Sequence, residues 1–272
     1  MTVNLLEQIV LCPISRVTGH LGTGTHTPVS AFTRTLLTIG QSNGTVYAVR
    51  ALIAVLPALF LAQVATAQNT ISFPTKDGGV VFADIYGTSD RAVVLAHGGR
   101  FNKEGWTRQA ERLVAAGFQV LALDFRGYGK SRGPGDSEPM DAPLHLDVLA
   151  AVRYLRKNGA KSVSVVGGSM GGGAAADACI SSQPGEVERV VLLGGHPNGP
   201  AEKLKCPSLF IVTRDDASGD GPRLPKIRAD YEKAPEPKQL IILDGSAHAQ
   251  YLLQTDQGER VMREILRFLS AK

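Results

Sequence analysis

The sequence predicts an α/β fold, a mostly parallel sheet with helices on both faces. Three observations carry this. From Ile71 onward, short runs of β-branched and apolar residues alternate with helical periods of about 10 to 18 residues. Several runs are apolar without alternation, as strands covered on both faces must be. Loops rich in glycine and polar residues follow the runs, where an open α/β sheet gathers its functional groups. With 272 residues, 43% of them apolar, the chain can bury a core of this kind in one domain.

Taken in order, residues 71–74 and 80–86 flank Lys76-Asp77-Gly78-Gly79 and read as antiparallel strands at the sheet edge. Ala92-Val93-Val94-Leu95-Ala96 is a buried strand ending in His97-Gly98-Gly99. Trp106, Ala110, Leu113 and Val114 share one helical face over residues 104–116, and Gly117 stops that helix. A strand over residues 119–123 runs into the loop Asp124 to Ser131, and a helix is expected at about 141–158, closed by Gly159. The strand Val163-Ser164-Val165-Val166 then breaks into glycines around Ser169 and continues as an alanine-rich helix. Further strands are expected over 187–193, 208–212 and 239–243, with helices near 224–232 and 256–269. Such alternation implies right-handed crossovers between parallel strands.

Residues 1–67 read differently. The first 45 or so show no sustained period and are assigned no structure. Arg50, the apolar run Ala51 to Ala62 and the small-residue site Ala65-Thr66-Ala67 are the three parts of a secretory signal peptide. The run is interrupted by Pro57 and falls short of the roughly 20 residues of a membrane span. The expectation is cleavage near Ala67, a secreted or periplasmic chain of residues 68–272, and no stable membrane span. The stretch ahead of the apolar run is long for a signal peptide, so the biological start is expected nearer Val46 or Val49.

The formal charge of +4 is modest, and the cations are scattered without interleaved aromatics, which leaves no footprint for nucleic acid. Cys12, Cys179 and Cys206 have no metal-ligand spacing. They read as small core or leader residues, with a Cys179–Cys206 disulfide as the lesser alternative. No cofactor or metal is implied.

The chemistry gathers at strand ends. In Gly167-Gly168-Ser169-Met170-Gly171 a strand reverses into a helix around one serine, a turn too tight for side chains two positions either side. A serine hydroxyl needs a base within hydrogen-bond reach, and the base needs a carboxylate to orient it. His248 follows the strand ending at Leu243, and Asp215 and Asp216 follow the strand ending at Val212.

The G-x-S-x-G turn, the His97-Gly98-Gly99 loop, the D-x-R-G-x-G-x-S loop at 124–131 and the order Ser169, Asp, His248 together resemble the α/β-hydrolase family, over about residues 71–270. The resemblance implies an α/β-hydrolase fold with Ser169 as nucleophile and His248 as base. It implies Asp216, three positions after Thr213, as the acid, with Asp215 still open. It gives the oxyanion-stabilising amides to Gly99, with Arg100 as fallback, and to Met170. His97 is expected to be structural, His196 a wall or surface residue, and Asp147 a buried hydrogen-bonded or solvated carboxylate. Trp106 and Met140 are expected to pack, and the 124–131 loop to shape the rim. Only about 14 residues separate the strands ending at Leu193 and starting at Ser208, too few for a sizeable cap domain. The implied activity is that of a compact, lidless esterase similar to dienelactone hydrolases, cleaving small-molecule acyl esters through an acyl-enzyme. Thioester or amide hydrolysis, acyl transfer and a non-catalytic binding role on the same fold stay open.

Overall fold

The computed structural model describes residues 69–271. The leader, signal peptide and cleavage site expected within residues 1–67, and Cys12 with them, lie outside the described residues.

In chain order the elements are β1 (Asn69–Pro74), β2 (Val80–Tyr86), β3 (Arg91–Ala96), α1 (Thr107–Ala115), β4 (Gln119–Leu123), α2 (His145–Lys157), β5 (Ser162–Gly168), α3 (Met170–Ser181), β6 (Val190–Leu193), β7 (Ser208–Thr213), the two-residue strands β8 (Ala217–Ser218) and β9 (Gly221–Pro222), α4 (Leu224–Lys233), β10 (Lys238–Leu243) and α5 (Gly258–Leu269). Eight strands form one sheet in the order β1-β2-β4-β3-β5-β6-β7-β10. The pairs β1–β2 and β2–β4 are antiparallel and all others in the sheet are parallel. This is the α/β-hydrolase fold expected from the sequence, with the 69–86 hairpin at the edge. The segment between β6 and β7 holds only the short 3-10 turn Ala201–Lys203, so no sizeable cap is inserted there.

The side-chain period of two divides the core into layers. Ala92, Val94 and Ala96 of β3 pack with Val148 and Val152 of α2 and Ala175 of α3. Val93 and Leu95 point the other way, toward Leu113 of α1 and Ile265 and Phe268 of α5. Both faces of the strand are therefore covered, which is why it reads as an unbroken apolar run. After β3 the chain passes through α1 to β4 on one side, and through α2 to β5 on the other. The crevice at this reversal lies beyond the carboxyl ends of β3 and β5.

Three expectations need correction. The helix expected from residue 141 starts at His145, because Pro143 disfavours helical backbone at Ala142 and the chain turns repeatedly through 134–143. Met140 lies in that turn-rich segment and is 68% exposed instead of packed, whereas Trp106 is buried as expected. Cys179 and Cys206 are buried but bonded to each other. The end of α3 and the lead into β7 converge beside β6, bringing their Cα atoms to 6.3 Å, within bonding geometry.

Arg126, fully buried, fastens the loop after β4. Its guanidinium and Nε bond the Asp147 carboxylate of α2 at 2.6–3.2 Å, and its terminal nitrogens bond Asp77 of the β1–β2 turn at 2.6 and 3.1 Å. Nη1 also donates to the Pro134 carbonyl at 3.0 Å. Asp147 is thus the buried hydrogen-bonded carboxylate of the two readings. The Arg126 hydrogen bonds pull the Asp77 carboxyl from 3.8 down to about 2. Its stabilising contribution is accordingly present above pH 3.8 and fades as pH falls toward 2. Removing Asp147 strips the bonds to Nε and Nη2 and leaves Arg126 with Asp77 as its remaining carboxylate partner, so Asp147→Ala should lower the unfolding free energy by about 1.5–3 kcal/mol in denaturant titration. Cys206→Ser should lower it by about 2–4 kcal/mol, measured in the same way under oxidising conditions.

Candidate active site

The reversal from β5 into α3 turns on Ser169, whose φ of 51° lies in the left-handed region. A serine stays there, at a cost of about 1–3 kcal/mol, only where its surroundings over-determine it. The surroundings do so by close approach. A Cβ at Gly167 would collide with the Gly171 carbonyl, and one at Gly171 with the carbonyl of Ala96. The Ser169 amide donates to the Leu193 carbonyl at 2.9 Å, tying the turn to β6.

The loops after β7 and β10 bring the other two polar groups to the serine. His248 Nε2 lies 2.7 Å from Ser169 Oγ, and its Nδ1 lies 2.7 Å from Asp216 Oδ2. A carboxylate only accepts, so Nδ1 carries the proton and Nε2 is free to accept from the serine hydroxyl. Of the two candidate aspartates, Asp216 is 1% exposed and faces His248, while Asp215 is exposed, its amide donating to the Gly245 carbonyl at 3.0 Å. Thr213 Oγ1 donates to the Ala247 carbonyl at 2.9 Å and locks the two loops together. Arg223 Nε stands 3.4 Å from the second carboxylate oxygen of Asp216, and its amide donates to the Asp216 carbonyl at 2.9 Å. The sequence carries no signal for Arg223 here, since a two-residue ribbon after Asp216 delivers it.

Opposite the histidine lies the loop after β3. His97 is fully buried, its Nδ1 donating to the Gly98 carbonyl at 2.9 Å and its Nε2 accepting from the Phe125 amide at 3.2 Å. This pairing needs the neutral ring, and burial pulls its pKa from 6.5 down to about 4. His97 is structural, as expected. The Gly99 amide has no acceptor among the described residues, and its carbonyl accepts from the Tyr128 hydroxyl at 3.0 Å. Tyr128 brings the 124–131 loop to the rim of the site. Met170 opens α3, so its amide has no partner within the helix.

A cleft of about 190 Å³ runs past Ser169, lined by the apolar Met140, Leu144 and Ala174 and by the polar His196, Asn198 and Arg223. His196 is therefore a wall residue, 3.3 Å from Asp230. Asp177 accepts from the amides of Asn198 and Gly199, both at 3.0 Å, and fixes that wall. Among the described residues there is no group of three metal-ligating side chains, and no helix long and apolar enough to cross a membrane.

The profile of the alpha/beta hydrolase fold matches residues 91–267. A 2-hydroxy-6-oxononadienedioate/2-hydroxy-6-oxononatrienedioate hydrolase of Cupriavidus pinatubonensis is 35% identical over 153 residues, 54% of this chain and 52% of that one. The bifunctional esterase/perhydrolase DCH of Acinetobacter calcoaceticus is 35% identical over 150 residues, 53% of this chain and 48% of that one. A non-heme haloperoxidase of Rhodococcus erythropolis is 35% identical over 122 residues, 45% and 43% respectively. The chain thus spans about half the length of these curated relatives. Among solved structures, the Pyrococcus furiosus esterase Pf2001 aligns with a TM-score of 0.64 at 20% identity, over 75% of this chain and 92% of that one. A dienelactone hydrolase from Anabaena variabilis aligns at 0.62 and 21% identity, over 74% and 96%. Both share the fold.

His97 makes a titration prediction. Its folded pKa is depressed, so its contribution to stability is complete above pH 6.5 and is lost as pH falls toward 4. His97→Asn lacks that titration, and the stability gap between wild type and variant should narrow as pH is lowered from 7 to 4 in denaturant unfolding.

Proposed function

This chain belongs to the alpha/beta hydrolase fold family, and from that premise we propose that it is a serine hydrolase cleaving carboxylic esters through an acyl-enzyme. The observation that carries the proposal is the continuous chain of hydrogen bonds from Asp216 through His248 to Ser169. In the proposed reaction His248 Nε2 takes the Ser169 proton as Oγ attacks the acyl carbon, and Asp216 stabilises the imidazolium. The carbonyl electron pair moves onto oxygen, where the Gly99 and Met170 amides receive it. Collapse of the intermediate expels the alcohol, which takes the proton from His248. Water then repeats the sequence on the acyl-enzyme and frees the acid.

Several features support an ester of modest size. The cleft is small, no sizeable cap is inserted between β6 and β7 among the described residues, and one relative carries an esterase in its name. We propose further that residues 68–272 are exported. The signal-peptide pattern at 50–67 and the Cys179–Cys206 bond, a linkage that persists in oxidising compartments, both support this.

Hydrolysis of p-nitrophenyl esters of increasing acyl length tests the reading. Turnover should favour short acyl chains, and Ser169→Ala should fall to background. Asp216→Asn should lose about 10³–10⁴ in kcat, by analogy with other triads, because the imidazole would be held in the wrong tautomer. Asp215→Asn should stay within about threefold of wild type, because its side chain is exposed and the histidine bonds Asp216 instead. Loss of activity in Asp215→Asn with retention in Asp216→Asn would overturn the assignment of the acid.

A further inference from the structure

Two residues beyond His248 lies Gln250, which no motif singles out. It is 2% exposed, and its Oε1 accepts from the Gly98 amide at 2.7 Å. The side chain is wedged between the loop after β3 and the turn that carries the serine. A Cβ built on Gly168 would stand 3.2 Å from Gln250 Oε1, and one built on Gly98 would stand 3.5 Å from Ser169 Cβ. The chain reaches this position through Ala249, whose φ of 52° makes it, with Ser169, one of two non-glycine residues in the left-handed region among those described. That reversal lets His248 face the serine while the next side chain but one passes beneath Gly98.

The Gly98 peptide groups are held from both ends. Gln250 takes the amide, while the carbonyl accepts from His97 Nδ1 and from the Phe101 amide, both at 2.9 Å. Fixing a residue's N–H and C=O fixes its two soft dihedrals. In a trans peptide the N–H of Gly99 then points opposite to the Gly98 carbonyl. That is the amide without an acceptor. Gln250 also retains a disadvantage that an apolar side chain of the same shape would not have: its Nε2 is buried without a partner. A buried donor left unmade is destabilising, so packing alone does not account for an amide here.

We infer that Gln250 is a positioning residue that aims the Gly99 amide at the developing oxyanion and couples the oxyanion loop to the loop bearing His248. The inference rests on the serine-hydrolase reading above. The test compares wild type, Gln250→Met and Gln250→Glu in ester hydrolysis and in binding of a short-chain aliphatic trifluoromethyl ketone. Addition of Ser169 Oγ to the ketone carbon moves the carbonyl pair onto oxygen and the hydroxyl proton onto His248, so the adduct presents an oxyanion to the same amides.

Gln250→Met fills the space without an acceptor. It should lose about 10- to 100-fold in kcat with KM within about threefold, and ketone affinity should fall in parallel with kcat/KM. A purely structural role would not move those two quantities together. Gln250→Glu keeps an acceptor oxygen at the same reach and should hold ketone affinity within about fivefold of wild type at the same pH. If Gln250→Met does not fold, the glutamate variant carries the test, and a larger loss of ketone affinity there overturns the inference. Wild-type kcat and ketone affinity in Gln250→Met, or lost kcat with unchanged affinity, also overturn it. A wild-type protein that forms no ketone adduct overturns the serine-hydrolase reading itself, and is told apart because no variant is involved.

Discussion

Gly171 sits so close beneath the end of β3 that a single added carbon would meet the carbonyls of Ala96 and His97. This contact holds the first turn of α3 against the sheet between β3 and β5, and with it the left-handed backbone of Ser169. Everything at the site is placed relative to that serine. The amide that opens α3, the loop after β3 and the imidazole from β10 all arrive at one point because the turn has no room to relax. Gly194 serves the same end, since a Cβ there would stand 3.0 Å from His248 Nδ1.

Two histidines near this point do opposite work, and their surroundings separate them. His97 is sealed in the core between a carbonyl and an amide that together require the neutral ring. His248 is about a quarter exposed and has a buried carboxylate at one nitrogen and the serine at the other, an arrangement that can accept and return a proton. A buried ion-pair cluster lies elsewhere: Arg126 gathers Asp77 and Asp147 at the base of the 124–131 loop, so that this rim is fastened without drawing on Asp216.

Much of this was legible in the sequence because strand ends are. Ser169, the pair Asp215–Asp216 and His248 each follow an apolar run that reads as a buried strand, and a parallel sheet carries the ends of such runs to one edge. Which aspartate faces the histidine was not legible, because both follow the same strand. The roles expected of Gly99 and Met170 came from the resemblance of the His97-Gly98-Gly99 loop and the turn at Ser169 to the α/β-hydrolase family. What was not legible depends on which strands become neighbours or on local reversals. Cys179 and Cys206 meet because β6 and β7 pair, a register that no spacing reveals. Met140 reads as apolar packing until Pro143 delays the helix and leaves it on the rim. Gln250 and Arg223 reach the site through a left-handed alanine and a two-residue ribbon, neither of which has a compositional mark.

The measurement that bears most directly on the account is reaction of the folded protein with a fluorophosphonate, followed by intact mass and peptide mapping. An activated serine displaces fluoride and keeps the phosphonyl group, whereas an ordinary surface hydroxyl does not react. The account predicts one adduct per chain, on Ser169, and none in Ser169→Ala. A folded protein that takes up no phosphonyl group, or carries it on another residue, would contradict it.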